Sequence, residues 1–479
     1  MKDQIRIDPK PMFDLPKYQF MQLLEPLGAT DGSVAAAWNE REHKWRDDFI
    51  DVSKELGPTL MRWPGGCFSS YYRWKEGIGP ANKRVPVHNI LWGGMESNQA
   101  GTHEYMDYCR KIGADPLIAV NFESDGRPHW ATFLGSNRSG SPQEAAEWVE
   151  YCNRPSHPLR RKNGSAKPFN VKMWQIGNET SYDKKGYDCE TAAKRTLAFA
   201  RAMKKADPEI SLIGWGDSGW APRMLEVAGS HLDYIAFHHH FRSALNPDEY
   251  PLQWDDYRKD HAKTWAHMMS AYALTERKIA EMREQVAGHD VKLAMTESHF
   301  STKGRNRCDV LSAWAAGVAY ARVLNVHERN GDILSIATLD DFLGVRWMSC
   351  ALFVCQPSNK TYMLPVARVL SLYRAHRGKR EATVLDSPAE LDVTASRTGG
   401  KLFLHIANTS RAKDVPVSIA VEGMKTGPGK VFQIAEDPFF EVDPHNDERL
   451  APAERALRSA KLVVPRASVS AVELEVRAP

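Results

Sequence analysis

No stretch of the chain carries the run of about 18 apolar residues that a membrane-spanning helix needs, so no membrane partner is expected. A charge excess is missing too. Lys and Arg number 63 against 60 Asp and Glu, a net +3, and no basic run stands out. A nucleic-acid binder would show a basic patch or stripe. The opening MKDQIRIDPKPMFDLPKYQF has charges of both signs and three prolines, but no apolar core of the kind a secretory leader requires. Paired cysteines are lacking as well. The seven (Cys67, Cys109, Cys152, Cys189, Cys308, Cys350 and Cys355) are odd in number, scattered and never spaced as CxxC. Reduced, mostly buried thiols follow, and with them a cytoplasmic location. There is no GxGxxG, so a dinucleotide-binding sheet lacks its phosphate turn. There is no GxSxG either, and GDSG at 216–219 has the wrong spacing for a serine nucleophile elbow.

What is present is globular: 479 residues, 42% hydrophobic and 26% charged, enough for one large domain and a smaller one. Eight short apolar runs recur between residues 19 and 342: FMQLLEP, TLMRWPGG, DPLIAVNF, KMWQIGNE, SLIGWGD, DYIAFHHH, KLAMTES and ILSIATLDDF. Continuous apolar runs mark parallel strands buried on both faces. Most are followed by helix-length segments such as DCETAAKRTLAFARAMKKADP, which should stop at Pro208. Eight βα units predict an α/β fold, a (β/α)8 TIM barrel over residues 19–375, rather than an open doubly wound sheet. Beyond, KLFLHIANTS and KLVVPRASVSAVELEV alternate apolar and polar, which predicts a jelly-roll-like β-sandwich over 376–479. Residues 1–18 are too short to fold alone and are expected to add a strand to it.

In such barrels the reacting groups sit at the C-terminal ends of the strands. Glu25, Glu179 and Glu297 fall at or near the ends of runs one, four and seven. A lone Glu at a strand end is more often an ion-pair partner or a helix cap. Two on nearly opposite strands, one within W-x-I-G-N-E, point to chemistry instead. Burying Glu179 at the end of an apolar strand costs several kcal/mol unless it is paired or protonated. Two carboxyls about 5–5.5 Å apart are what a retaining glycosidase requires, one as nucleophile and one as acid/base. Asn178 can then hydrogen-bond a sugar hydroxyl beside the cleaved bond.

Several segments together are specific: RWPGGCF (62–68), YRWKEGIGP (72–80), AGTHEYMDYCRKIGADPLIAVN (100–121), EAAEWVEYCN (144–153), LRRKNG (159–164), VKMWQIGNE (171–179) and DYIAFHHHF (233–241). On them the chain resembles glycoside hydrolase family 51, the retaining α-L-arabinofuranosidases. The resemblance implies Glu179 as acid/base, Glu297 as nucleophile and Glu25 as a holder of sugar hydroxyls. It implies an exo-acting enzyme that releases arabinofuranose from arabinan- or arabinoxylan-type oligosaccharides by double displacement, without metal or organic cofactor, and it makes a homo-oligomer plausible. Three departures fall on substrate-binding positions. Cys67 stands where many members have Asn after Gly-Gly, and His238-His239-His240 replaces H-x-Tyr. Arg346-Trp347 occupies the region of a lost Gln after strand eight. The alternatives are a related retaining glycosidase (a β-D-galactofuranosidase, a D-arabinofuranosidase or an endo-glycanase) and a non-catalytic carbohydrate-binding barrel.

Alternation along a strand lets at most His238 and His240 share a ligand sphere, and no third ligand stands at metal spacing in the nearby sequence, so a metal is not expected. His239 should face away, and His299 reads as a packing residue. Trp63 and Trp174 read as core. Trp130, Trp215, Trp220 and Trp347 are candidates for stacking on sugar, with Trp347 nearest the mouth.

Overall fold

The computed structural model describes residues 3–122, 138–182, 187–246, 251–301, 308–355, 358 and 360–478, and Trp130 lies outside them. Eight parallel strands close into a barrel in chain order: Tyr18–Leu23, Leu60–Trp63, Asp115–Val120, Met173–Ile176, Ser211–Trp215, Tyr234–Phe241, Lys292–Phe300 and Leu334–Thr338. Each falls in one of the eight apolar runs. Both faces explain why. Inside the barrel, Met21, Leu60, Leu117, Met173, Ile213, Trp215, Ala236, Ala294 and Ile336 form one buried cluster. Outside it, Trp63, Trp174, Ile235, Phe237, Leu293 and Met295 join the larger core beneath the helices. With neither face wetted, alternation has nothing to encode.

The helix Cys189–Ala206 shows how the outer ring is specified. Asp188 caps it by accepting the Thr191 N–H at 2.7 Å, and Lys204 and Lys205 sit in its last turn, where positive charge suits the helix dipole. Ala192, Ala193, Thr196, Phe199, Ala200 and Met203 recur at helical spacing and are buried. Full burial of Phe199 alone is worth about 1.5–3 kcal/mol. The helix ends two residues short of Pro208.

The second unit is a nine-stranded sheet. Gln4–Asp14 lies within it, antiparallel to Arg380–Asp386 and parallel to Val415–Val421. Ile5 and Ile7 share one core with Leu404, Val417, Leu457, Leu462 and Val472, drawn from strands at both ends of the sheet. The sheet therefore folds over on itself as a β-sandwich. The eighth run departs from its reading as one strand. It breaks after Thr338, Asp340 takes a left-handed φ of 58°, and Asp341–Gly344 pairs instead with Cys350–Cys355 in a separate three-stranded sheet. That sheet carries Trp347 in its first connection.

Candidate active site

The fourth strand delivers Glu179 through a short left-handed passage. Gly177 has φ 74°, and a Cβ there would lie 2.8 Å from that of Phe122. Glu179 itself has φ 50°, a conformation that costs a non-glycine residue about 1 kcal/mol or more. Its carboxylate is 8% exposed in the side chain and faces two partners. Oε1 is 2.8 Å from His238 Nδ1, and the Cys67 thiol donates to Oε2 at 3.5 Å.

Glu297 is not at a strand end. It lies inside Lys292–Phe300, and a bulge turns it inward. Phe237 pairs with Met295, but His238 pairs with Glu297, so the seventh strand carries one extra residue, Thr296. Ala294 faces the barrel interior and Met295 the helices. Strict alternation from there would aim Glu297 outward. The bulge sets it beside His238 instead, with Thr296 Oγ1 3.0 Å from His238 Nε2.

Arg62, fully buried, ties Glu297 to the end of the fourth strand. Its Nη1 donates to Glu297 Oε1 at 3.0 Å, its Nη2 to Asn178 Oδ1 at 2.5 Å and its Nε to Gln175 Oε1 at 2.8 Å. The other oxygen of Glu297, Oε2, lies 3.4 Å from His238 Nδ1 and 3.7 Å from His240 Nε2. Burial alone would push the Glu297 carboxyl up. His238, His240 and Arg62 outweigh it and hold the group well below the usual carboxylate range, so it is ionised. His240 is opposed by burial too, but Glu297 and Glu179 raise its pKa. Asn178 Nδ2 is buried without a partner.

On the first strand's side, Gly65 (φ 100°) and Gly66 pass against Glu25, where an added Cβ would come within 2.4 Å and 2.2 Å of its side chain. Glu25 Oε1 accepts the Phe68 N–H at 2.7 Å and the Trp92 indole N–H at 3.1 Å. Burial, reinforced by the charge of Glu297, lifts its carboxyl well above the ordinary range despite those donors. Trp347 joins through Trp92, edge to face at 6.0 Å. Its loop is held by Asp31 Oδ1, which accepts the N–H groups of Val345, Arg346 and Trp347 at 3.0, 2.7 and 3.2 Å.

The structure therefore gathers Glu179, Glu297, His238, His240, Cys67 and Asn178 into one constellation, with Glu25 beside it and Trp347 one ring further out. His239 turns away, stacked on Phe241 and 3.1 Å from Thr275 Oγ1. Burial and the charge of Lys278 lower its pKa to about 3. His299 stacks on His240 at 4.3 Å. Trp63 and Trp174 are core, and Trp215 lies under His238 with its ring 4.6 Å away rather than as an open wall. Arg62 escaped sequence reading, although a charged residue inside TLMRW was its signal. So did Asp217, which accepts from Tyr182 Oη and Lys278 Nζ and from the His238 backbone N–H at 3.2 Å. Strands four and seven bring two acids to the histidine pair, and one donor atom each of Glu179, His238, His240 and Glu297 all lie within 4.8 Å of one another.

Comparison with known proteins bears on the family and the fold. The profile of the Alpha-L-arabinofuranosidase 1 domain matches residues 52–260. A probable alpha-L-arabinofuranosidase C of Aspergillus niger is 36% identical over 186 residues, covering 38% of this chain and 34% of that protein. The intracellular exo-alpha-(1->5)-L-arabinofuranosidase of Acetivibrio thermocellus is 31% identical over 219 residues, covering 43% of this chain and 41% of that one. The chain thus spans about a third to two fifths of these curated relatives. The α-L-arabinofuranosidase of Thermotoga maritima, solved with arabinose, superimposes over 99% of this chain and 100% of its own, with TM-score 0.80 and 24% identity. Over residues 52–260 the chain is thus similar to the Alpha-L-arabinofuranosidase 1 domain, and the fold of the whole chain is that of a solved α-L-arabinofuranosidase.

Proposed function

We propose that this protein is a retaining, exo-acting α-L-arabinofuranosidase, with Glu297 as nucleophile and Glu179 as acid/base. The carrying observation is that an oxygen of each carboxylate lies within 4.8 Å of the other, the spacing of the double-displacement class and too close for the water an inverting enzyme must admit. Arg62 and the two histidines keep Glu297 charged for attack on the anomeric carbon. His238 Nδ1, 2.8 Å from Glu179 Oε1, orients that carboxyl toward the leaving oxygen. In the first step the glycosidic bond breaks as the Glu297 ester forms and Glu179 gives up a proton. In the second, water attacks the ester carbon, Glu179 takes a proton from it, and Glu297 leaves as carboxylate. Asn178 Nδ2 and the protonated Glu25 carboxyl offer hydrogen-bond donors to sugar hydroxyls. All seven cysteines are free thiols, which fits a reducing compartment. Among the described residues no helix is long and apolar enough to cross a membrane.

Nitrophenyl glycosides test the reading. Hydrolysis of the α-L-arabinofuranoside is expected to exceed that of every pyranoside in the panel, and activity confined to a pyranoside would remove it. Azide should rescue Glu297→Ala with inverted product. Glu179→Ala should slow substrates with poor leaving groups far more than activated aryl ones.

A further inference from the structure

We propose that the mouth of the barrel also binds a divalent transition-metal ion of the zinc class, held by His238, His240, Glu179 and Glu297, and that the ion excludes substrate. The geometry is that of a ligand set. With bonds of about 2.0–2.1 Å, a tetrahedral site places its donors ~3.4 Å apart. The separations here are 2.8 Å from His238 Nδ1 to Glu179 Oε1, 3.4 Å from His238 Nδ1 to Glu297 Oε2 and 3.7 Å from His240 Nε2 to Glu297 Oε2. No donor in the set is more than 4.8 Å from another.

The remaining atoms of these side chains are already committed in ways that orient them. Glu297 Oε1 is held by Arg62, which leaves Oε2 for the ion. Thr296 Oγ1 lies 3.0 Å from His238 Nε2 and can accept its N–H, so that Nδ1 presents its lone pair to the site. An outer hydrogen bond of this kind orients a metal-bound histidine. The His240 ring is braced face to face by His299. Two carboxylates and two neutral imidazoles leave a bound dication neutral, and imidazole nitrogens select zinc-class ions over magnesium or calcium. An entry path exists, because the His240 side chain is 33% exposed. His240 supplies one of the four ligands, at a position where the sequence departs from the H-x-Tyr pattern noted above.

Binding stands apart from the proposed hydrolysis, and only the competition with substrate rests on that reading. The test is calorimetric titration of the chelator-treated full chain with Zn2+, paired with visible absorption of Co2+, whose ligand-field bands intensify in four-coordinate sites. One ion per chain is expected. His240→Phe and Glu297→Gln, each confirmed folded by its melting curve, should weaken Zn2+ by about tenfold or more and bleach the Co2+ bands. Zn2+ should inhibit aryl arabinofuranoside hydrolysis competitively, with a correspondingly higher inhibition constant in His240→Phe. Absence of Zn2+ binding, or binding that both variants leave unchanged, overturns the proposal. If no arabinofuranoside is cleaved, the functional reading fails while calorimetry and Co2+ absorption still decide the metal.

Discussion

Two buried glutamates in this chain keep the same company, and only one of them opens on a cleft. Glu297 has Arg62, His238 and His240 around it. Glu328, on the helix Trp314–Arg329, has Arg377 Nε at 3.1 Å, His405 Nδ1 at 2.9 Å and Thr394 Oγ1 at 2.6 Å. Burial would raise both carboxyls, and the cationic neighbours outweigh it in both, holding Glu328 at about 2. The difference lies in what completes each shell. Around Glu328 the donors come from the sandwich and its approach, with Tyr373 stacked on His405 at 3.8 Å and Arg377 reaching on to Gln19 of the first barrel strand. That cluster is a clasp between the two units. Around Glu297 one oxygen faces the mouth, with a second acid across the ring and the donor Asn178 Nδ2 unclaimed. A displaced carboxyl pKa therefore does not by itself mark a reactive site.

The comparison is sharpest when each glutamate is made neutral. Glu297→Gln should lower kcat/KM by about 10⁴-fold or more, and with Arg62 still bound to Gln175 and Asn178 its melting temperature should fall less than that of Glu328→Gln. Glu328→Gln should do the reverse: about 3–5 kcal/mol of stability lost as Arg377 is left buried without its counter-charge, with kcat nearly intact at permissive temperature. A large loss of stability in the first or of kcat in the second would collapse the distinction. Acid titration extends it. The folded Glu328 carboxyl lies at about 2 against an ordinary 4.5. Its stabilisation is thus present above pH 4.5 and disappears as pH falls through 2, and Glu328→Gln should lack that limb in thermal melts.

Smaller effects probe the mouth alone. Cys67→Asn should shift the ratio of arabinofuranoside to galactofuranoside hydrolysis by about tenfold, because an amide replaces a thiol 3.5 Å from Glu179. An unchanged ratio would remove Cys67 from the sugar contacts. Asp341 is lifted from 3.8 to about 8 by burial and by Glu297 and Asp31. The stability tied to its neutral form is complete below pH 3.8 and lost as pH rises through 8. Asp341→Asn should therefore raise the melting temperature at alkaline pH by about 2 °C or more, and no gain there would count against the shift.

Much of this was legible in the chain. The eight strands were readable because both faces of each are buried, and the helix at 189–206 because its cap, charges and stop are local. Glu179, Asn178, His238 and His240 could be nominated from strand-end position. Arg62 stood out only as a charge inside TLMRW and could not be given a role, because its three partners lie 113 to 235 residues away. The break after Thr338 was passed over because Leu339 and Phe342 extend the apolar run beyond it, although Asp340-Asp341 interrupts that run at the turn.

Amino-acid order alone determined the strand count and the helix ends, properties encoded within about 20 neighbouring residues. Tertiary structure decided the direction of Glu297, through one extra residue opposite His238. It also decided which carboxyl is charged and that four donors from three strands share one point. Periodicity describes how a strand presents its own side chains, but a register shift and the field at a carboxylate are set by the partners that folding brings near.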